Sequence, residues 1–173
     1  MGVDTDDFAE FVASRSATLL RAAWLLTGDA GKAEDLLQTA LMATWRRWAR
    51  VAAGGDPEPY VRRVLFSTYV SWWRRRWRAE VPTQVLPDGM RPDDVAQSQA
   101  ERDVVRRALN KLTRQQRAIV VLRYVEDLSV AQTAEILQTS PDTVKVQASK
   151  ALAKLRSDPQ LRMAEMGAMG NVR

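Results

Sequence analysis

Between residues 62 and 78 stand six arginines and no acid, interleaved with Trp72, Trp73 and Trp77. Guanidinium groups pair with phosphate oxygens and indole rings stack on unpaired bases, so this block suits recognition of a nucleic-acid strand. Covalent chemistry has far less to work with. Histidine and cysteine are both absent, which removes imidazole acid–base catalysis, thiolate nucleophiles and the usual structural zinc sites. Carboxylate, Lys, Ser or Tyr chemistry is left, and Asp6-Asp7 and Asp93-Asp94 are its clearest candidates. Each pair lies among Asp, Gly or Pro with no apolar pattern to bury it, and an unburied carboxyl keeps its ordinary pKa. Both pairs read as solvated charges. No catalytic residue, cofactor or metal ligand is expected.

The chain that must position the basic block has 173 residues, 46% of them hydrophobic, and a net charge of +5. That length suits one ordinary domain or two small ones. No uncharged apolar run is long enough to span a membrane, and the acidic start MGVDTDDFAEF lacks the order of a signal peptide, so a cytoplasmic location is expected. Charge is unevenly spread. Residues 1–45 carry −4, 62–78 carry +6, 79–103 carry −4 and 141–156 carry +3. Two basic blocks separated by an acidic stretch suggest two contacts with a polyanion.

Helical periodicity dominates and strand-like alternation is nearly absent. Phe8, Phe11, Val12, Leu19, Ala22, Ala23 and Leu26 share a face until Thr27-Gly28-Asp29 breaks the pattern. Ala33, Leu36, Leu37, Ala40, Leu41, Thr44, Trp45 and Trp48 predict one continuous second helix, with Glu34, Asp35, Gln38, Thr39 and Met42 on its other side. After the turn Gly54-Gly55-Asp56-Pro57, a third helix starts near Glu58-Pro59. Val61, Val64, Leu65, Thr68, Tyr69, Trp72 and Trp73 mark its apolar stripe. Trp72 and Trp73 suit either the core or a base-stacking platform, the core being favoured for at least one of them. Trp77, flanked by Arg76 and Arg78, is better placed to be exposed.

Residues 79–100 hold Pro82, Pro87 and Pro92, each lacking a backbone donor, and read as an extended linker. Val104, Val105, Ala108, Leu109 and Leu112 then form an apolar face. Thr113 with Gln116 fits a capping box opening a helix from Arg114 to Tyr124, and Ser129 with Gln132 repeats it for a helix ending near Leu137. Ser140-Pro141 opens another, running to about Arg156. Two helices joined by Gln138-Thr139-Ser140, the second basic, make a helix-turn-helix. Ala134 is small where the helices must approach, and Val144 packs the second on the first. Thr143, Lys145, Val146, Gln147, Ser149 and Lys150 face outward, where they suit base edges and phosphates. The tail 157–173, with Met163, Met166 and Met169 at helical spacing, suits either a short helix packed on one of the domains or a frayed end, partial disorder being favoured.

In this order, these segments resemble the two-domain extracytoplasmic-function sigma factors of bacterial RNA polymerase, in the sigma-70 superfamily. AEDLLQTALMATWRRW at 33–48 is similar to the family's docking segment for the polymerase β′ subunit. PEPYVRRVLFSTYVSWWRRRWR at 57–78 is similar to the segment that melts and reads the −10 element, its wording being especially like an actinobacterial subgroup, and residues 112–156 resemble the −35-reading domain. The resemblance implies an all-α protein of two small helical domains, 1–78 and 101–156, joined by the linker 79–100 and followed by the tail. It implies core polymerase (β′ and β) and promoter DNA as partners, leaves room for an anti-sigma protein, and involves no enzyme activity. Glu34, Asp35, Gln38, Thr39 and Met42 would face polymerase. Arg63, Ser67, Thr68, Ser71, Trp72, Arg74, Arg75, Arg76, Trp77 and Arg78 would face the −10 element, and Ser140, Thr143, Lys145, Val146, Gln147, Ser149 and Lys150 the −35 element.

Several positions depart from the family pattern. Many members have Asn at Ser67, Asp at Ser71, a turn glycine at Gln138, Gly at Asp142, and Ser-Arg at Val146 and Gln147. These imply altered −10 details, a strained or modified turn at Gln138, and weaker phosphate anchoring with a different −35 preference. Other readings are a conventional helix-turn-helix repressor or activator, with residues 1–78 for dimerisation or sensing, and an RNA-binding interaction protein. A repressor has no reason to display the row Glu34, Asp35 and Gln38.

Overall fold

The computed structural model describes residues 2–78 and 96–163, with side chains for 5–75 and 99–163, and every regular element in it is helical. The prolines of the expected linker and residues 164–173 of the tail lie outside the described residues. Two compact units divide the chain, Met1–Asp88 and Gly89–Arg173.

The first unit contains α1 (Gly2–Thr27), α2 (Ala30–Trp45), α3 (Trp48–Ala53) and α4 (Glu58–Arg78). Gly28, at φ 67°, turns the chain out of α1, and Asp29 caps α2 by accepting the Lys32 N–H at 2.8 Å. Ala22, Ala23, Ala33 and Ala40 are buried, and their small side chains let α1 and α2 lie close. Leu19, Leu26, Leu36 and Leu65 fill the space between them and α4.

Two details differ from the periodicity. The helix expected to run through Trp48 stops at Trp45 and restarts at Trp48. No Gly or Pro marks this break. Phe8 and Phe11 pack on Trp48 with ring centroids 4.9 and 5.3 Å away, and this packing holds Trp48 in the core while Trp45 is left 42% exposed. On α4 the buried positions are Val61, Leu65, Phe66, Tyr69 and Val70, whereas Val64, Thr68, Trp72 and Trp73 are half-buried. Because α1 and α2 both pack on α4, the covered arc is rotated toward Phe66 and Val70. Neither Trp72 nor Trp73 is a full core residue.

The second unit contains α5 (Ala96–Asn110), α6 (Arg114–Val120), α7 (Val130–Leu137) and α8 (Pro141–Arg156). Helix α5 begins inside the stretch expected to be linker. Both capping boxes form, at Thr113 with Gln116 and at Ser129 with Gln132, and Ser140 caps α8 by accepting the Thr143 N–H at 3.1 Å. Gln138 takes the left-handed conformation, φ 51° and ψ 49°. The next N–H, of Thr139, reaches back to the Ala134 carbonyl at 3.0 Å, closing α7 in a Schellman turn.

The helix expected to reach Tyr124 is α-helical only to Val120 and continues as a π-helical turn over Val121–Val125. Ala118 through Leu122 are all buried, more consecutive residues than one α-helical stripe can cover. The wider turn, closed by the Glu126 N–H on the Val121 carbonyl at 3.0 Å, keeps Val121 and Leu122 covered while exposing Tyr124 and Val125. The beginning of the tail is also tied down. Asp158 is buried and accepts from Lys111 Nζ at 2.6 Å, and residues 159–163 are helical.

Candidate nucleic-acid interface

Helix α8 has one face committed to the core and one free for contact. Val144, Ala148 and Ala151 are buried against α6 and α7. On the other side Ser140, Lys145, Val146, Ser149 and Lys150 are exposed. Lys145 lies 3.7 Å from Asp142, an exposed pair that screens little of its charge. Thr143 is half-buried, its hydroxyl 2.8 Å from that of Ser140 within the cap. Gln147 is half-buried as well and is not a purely outward group, because Gln116 Nε2 donates to its Oε1 at 3.0 Å. Sequence reasoning assigned Gln116 only to a cap. Its tie to Gln147, and that of Lys154 Nζ to Gln116 Oε1 at 3.0 Å, had no local signal.

On α4, Arg63, Ser67, Arg74 and Arg75 are exposed, and Ser71 and Trp72 are half-buried beside them. Thr68 turns its hydroxyl onto its own helix, donating to the Val64 carbonyl at 2.7 Å. The side chains of Arg76, Trp77 and Arg78 lie outside the described residues. Arg62 belongs elsewhere, with Nε and Nη2 donating to Glu58 Oε1 at 3.0 and 2.8 Å, while Arg15 pairs with Glu58 Oε2 at 3.2 Å.

On α2, Asp35, Gln38, Thr39 and Met42 are exposed and Glu34 is half-buried. Thr39 donates its hydroxyl to the Asp35 carbonyl at 2.7 Å. Trp45, one turn beyond Met42, extends this face and was expected inside. Among the described residues there is no group of acids placed to hold a metal ion and no helix long and apolar enough to cross a membrane.

Helices α7 and α8, with the tight turn between them, define a helix-turn-helix protein. Residues 11–79 match the family model for sigma-70 region 2, and residues 102–155 match the model for sigma-70 region 4. The chain is 42% identical over 156 residues to the RNA polymerase sigma-E factor of Streptomyces avermitilis, covering 90% of this chain and 87% of that protein. It is 32% identical over 160 residues to the ECF RNA polymerase sigma factor SigL of Mycobacterium tuberculosis, covering 88% and 86%. The fold is shared with the sigma factor RpoE in complex with the anti-sigma factor NepR from Bartonella quintana, at TM-score 0.62 and 24% identity over 87% of this chain and 94% of that one. It is also shared with CnrH in complex with the cytosolic domain of CnrY, at TM-score 0.58 and 22% identity over 88% and 87%. The chain belongs to the sigma-70 family and is an RNA polymerase sigma factor of the extracytoplasmic-function type. A sigma factor is not an enzyme, and the repressor and RNA-binding alternatives fall away.

Proposed function

We propose a division of labour along this chain. Residues 1–78 bind core polymerase and the −10 element, 79–100 connect, and 101–156 bind the −35 element. The row Glu34, Asp35, Gln38, Thr39 and Met42 docks on β′, with β as the second polymerase contact. The face of Arg63, Ser67, Thr68, Ser71 and Trp72, continued by Arg74 to Arg78, holds the separated −10 strand. Unstacking a base costs a few kcal/mol, and stacking on Trp returns roughly 1–3 kcal/mol per base, with phosphate contacts adding the rest. Ser140, Thr143, Lys145, Val146, Gln147, Ser149 and Lys150 face the −35 duplex.

The observation that carries this reading is the two-sidedness of α8, where exposed Lys145, Ser149 and Lys150 back onto buried Val144, Ala148 and Ala151. An anti-sigma protein is a further partner, supported by the Bartonella quintana factor of like fold held in such a complex. The cytoplasm, where promoter DNA and polymerase meet, is its proposed location. Run-off transcription tests the whole: the protein alone binds duplex promoter DNA weakly, and adding core polymerase yields specific transcripts. Strong sequence-specific binding without polymerase would contradict it.

A further inference from the structure

The capping glutamine of α6 is hydrogen-bonded to two residues of α8, Gln147 and Lys154. Lys154 Nζ lies 3.0 Å from Gln116 Oε1, and the Thr113 N–H points at the same atom at 3.3 Å. An ammonium and a backbone N–H can only donate, so this end of the Gln116 amide must be its carbonyl oxygen. The other end is then the NH2 group, and it lies 3.0 Å from Gln147. A donor there demands an acceptor. Gln147 therefore turns its oxygen inward and keeps Nε2, which has no partner among the described residues and is not among the buried polar atoms left unsatisfied. A free glutamine can pair with adenine by accepting from N6 and donating to N7 at once. Its oxygen keeps a second lone pair, but that atom is aimed at Gln116, so the edge of Gln147 left to face a base is its NH2 donor edge, and pairing with adenine would require turning the amide away from Gln116.

We propose that Gln147 is a specificity-determining residue that reads the −35 element as a hydrogen-bond donor only, selecting guanine, whose major-groove edge offers the two acceptors N7 and O6, and that Gln116 is the positioning residue that fixes this polarity. The proposal rests on the −35 role given above to α8. It also makes the polarity reversible. In Gln116→Glu the carboxylate still accepts from Thr113 and Lys154, but it accepts from Gln147 too. The Gln147 amide must then rotate and present its oxygen, which suits the N4 or N6 amino group of cytosine or adenine.

The test is transcription by holoenzyme, reconstituted from core polymerase and the full chain, on a promoter library randomised across the −35 element. Gln147→Ala should flatten the base preference at one position. At that position the unsubstituted protein should favour guanine over adenine by roughly three- to tenfold, the range of one hydrogen bond. Gln116→Glu, with a melting temperature near that of the parent, should reverse the preference to adenine or cytosine by a similar factor. Adenine favoured by the parent there, a uniform loss across the library in Gln147→Ala, or an unchanged guanine preference in folded Gln116→Glu would each overturn the proposal. Should Gln116→Glu not fold, the parent profile decides alone. If Gln147→Ala and Lys150→Ala both leave profile and level untouched, it is the −35 role of α8 that fails, a result distinct from any of these.

Discussion

Lys111 Nζ lies 2.6 Å from Asp158 Oδ2, joining the end of α5 to the segment just beyond α8. The hydrogen bond from Lys111 holds the Asp158 carboxyl below its ordinary value against the opposing effect of its burial, helped by the Gln160 N–H. A carboxylate whose folded pKa is depressed contributes stability that is present above the unfolded value and disappears as pH falls through the folded one. The parent should therefore melt above Asp158→Asn by a constant margin near neutral pH, and that margin should close below pH 3.8. A margin unchanged by acid would mean that the ion pair is not its source.

Gln138 occupies the left-handed position that closes α7, at φ 51°. A residue with a Cβ is strained there by about 1 kcal/mol relative to glycine. Gln138→Gly should raise the stability of the second unit by about 1 kcal/mol, seen as a rise in melting temperature of roughly 4–8 °C. No rise, or a fall, would show that the Gln138 side chain repays the strain through interactions of its own.

Arg74, Arg75 and Arg76 changed together to Ala should lower transcription while polymerase binding survives. The salt dependence of promoter binding should weaken as well, its logarithmic slope shrinking by about 0.7 for each single-strand phosphate that no longer has an arginine beside it. Loss of polymerase binding in this variant would mean that α4 and α2 have exchanged the roles proposed for them.

Asp35→Ala combined with Gln38→Ala should do the reverse. Polymerase affinity should fall by roughly tenfold, equivalent to about 1.4 kcal/mol, with no change in melting temperature, because both side chains are exposed. A competition assay for core polymerase reads this directly, and an unchanged affinity would remove α2 from the docking surface.

What the sequence made visible was whatever is written locally. Thr113, Ser129 and Ser140 announce their helices because a cap and its target lie within three residues. The strained turn at Gln138 was legible from the glycine that many family members carry there. Features decided by distant partners were not. The α2–α3 break depends on Phe8 and Phe11 finding Trp48, and the π-helical turn depends on burying five consecutive residues at once. The outward types on α8 were evident from periodicity, yet the engagement of Gln147 was hidden because Gln116 lies 31 residues away. Asp158 looked like one more charge in a neutral tail until the fold brought Lys111 beside it.

Phe8 straddles the junction of α2 and α3, with its ring centroid 4.9 Å from both Trp45 and Trp48. The opening turns of α1 are therefore a splint across a joint in another part of the unit. Anyone shortening this protein for expression would be mistaken to treat its acidic beginning as dispensable. A version starting after Phe8 would lack the ring that packs on both Trp45 and Trp48 across that junction, and would uncover more of the Trp45 indole.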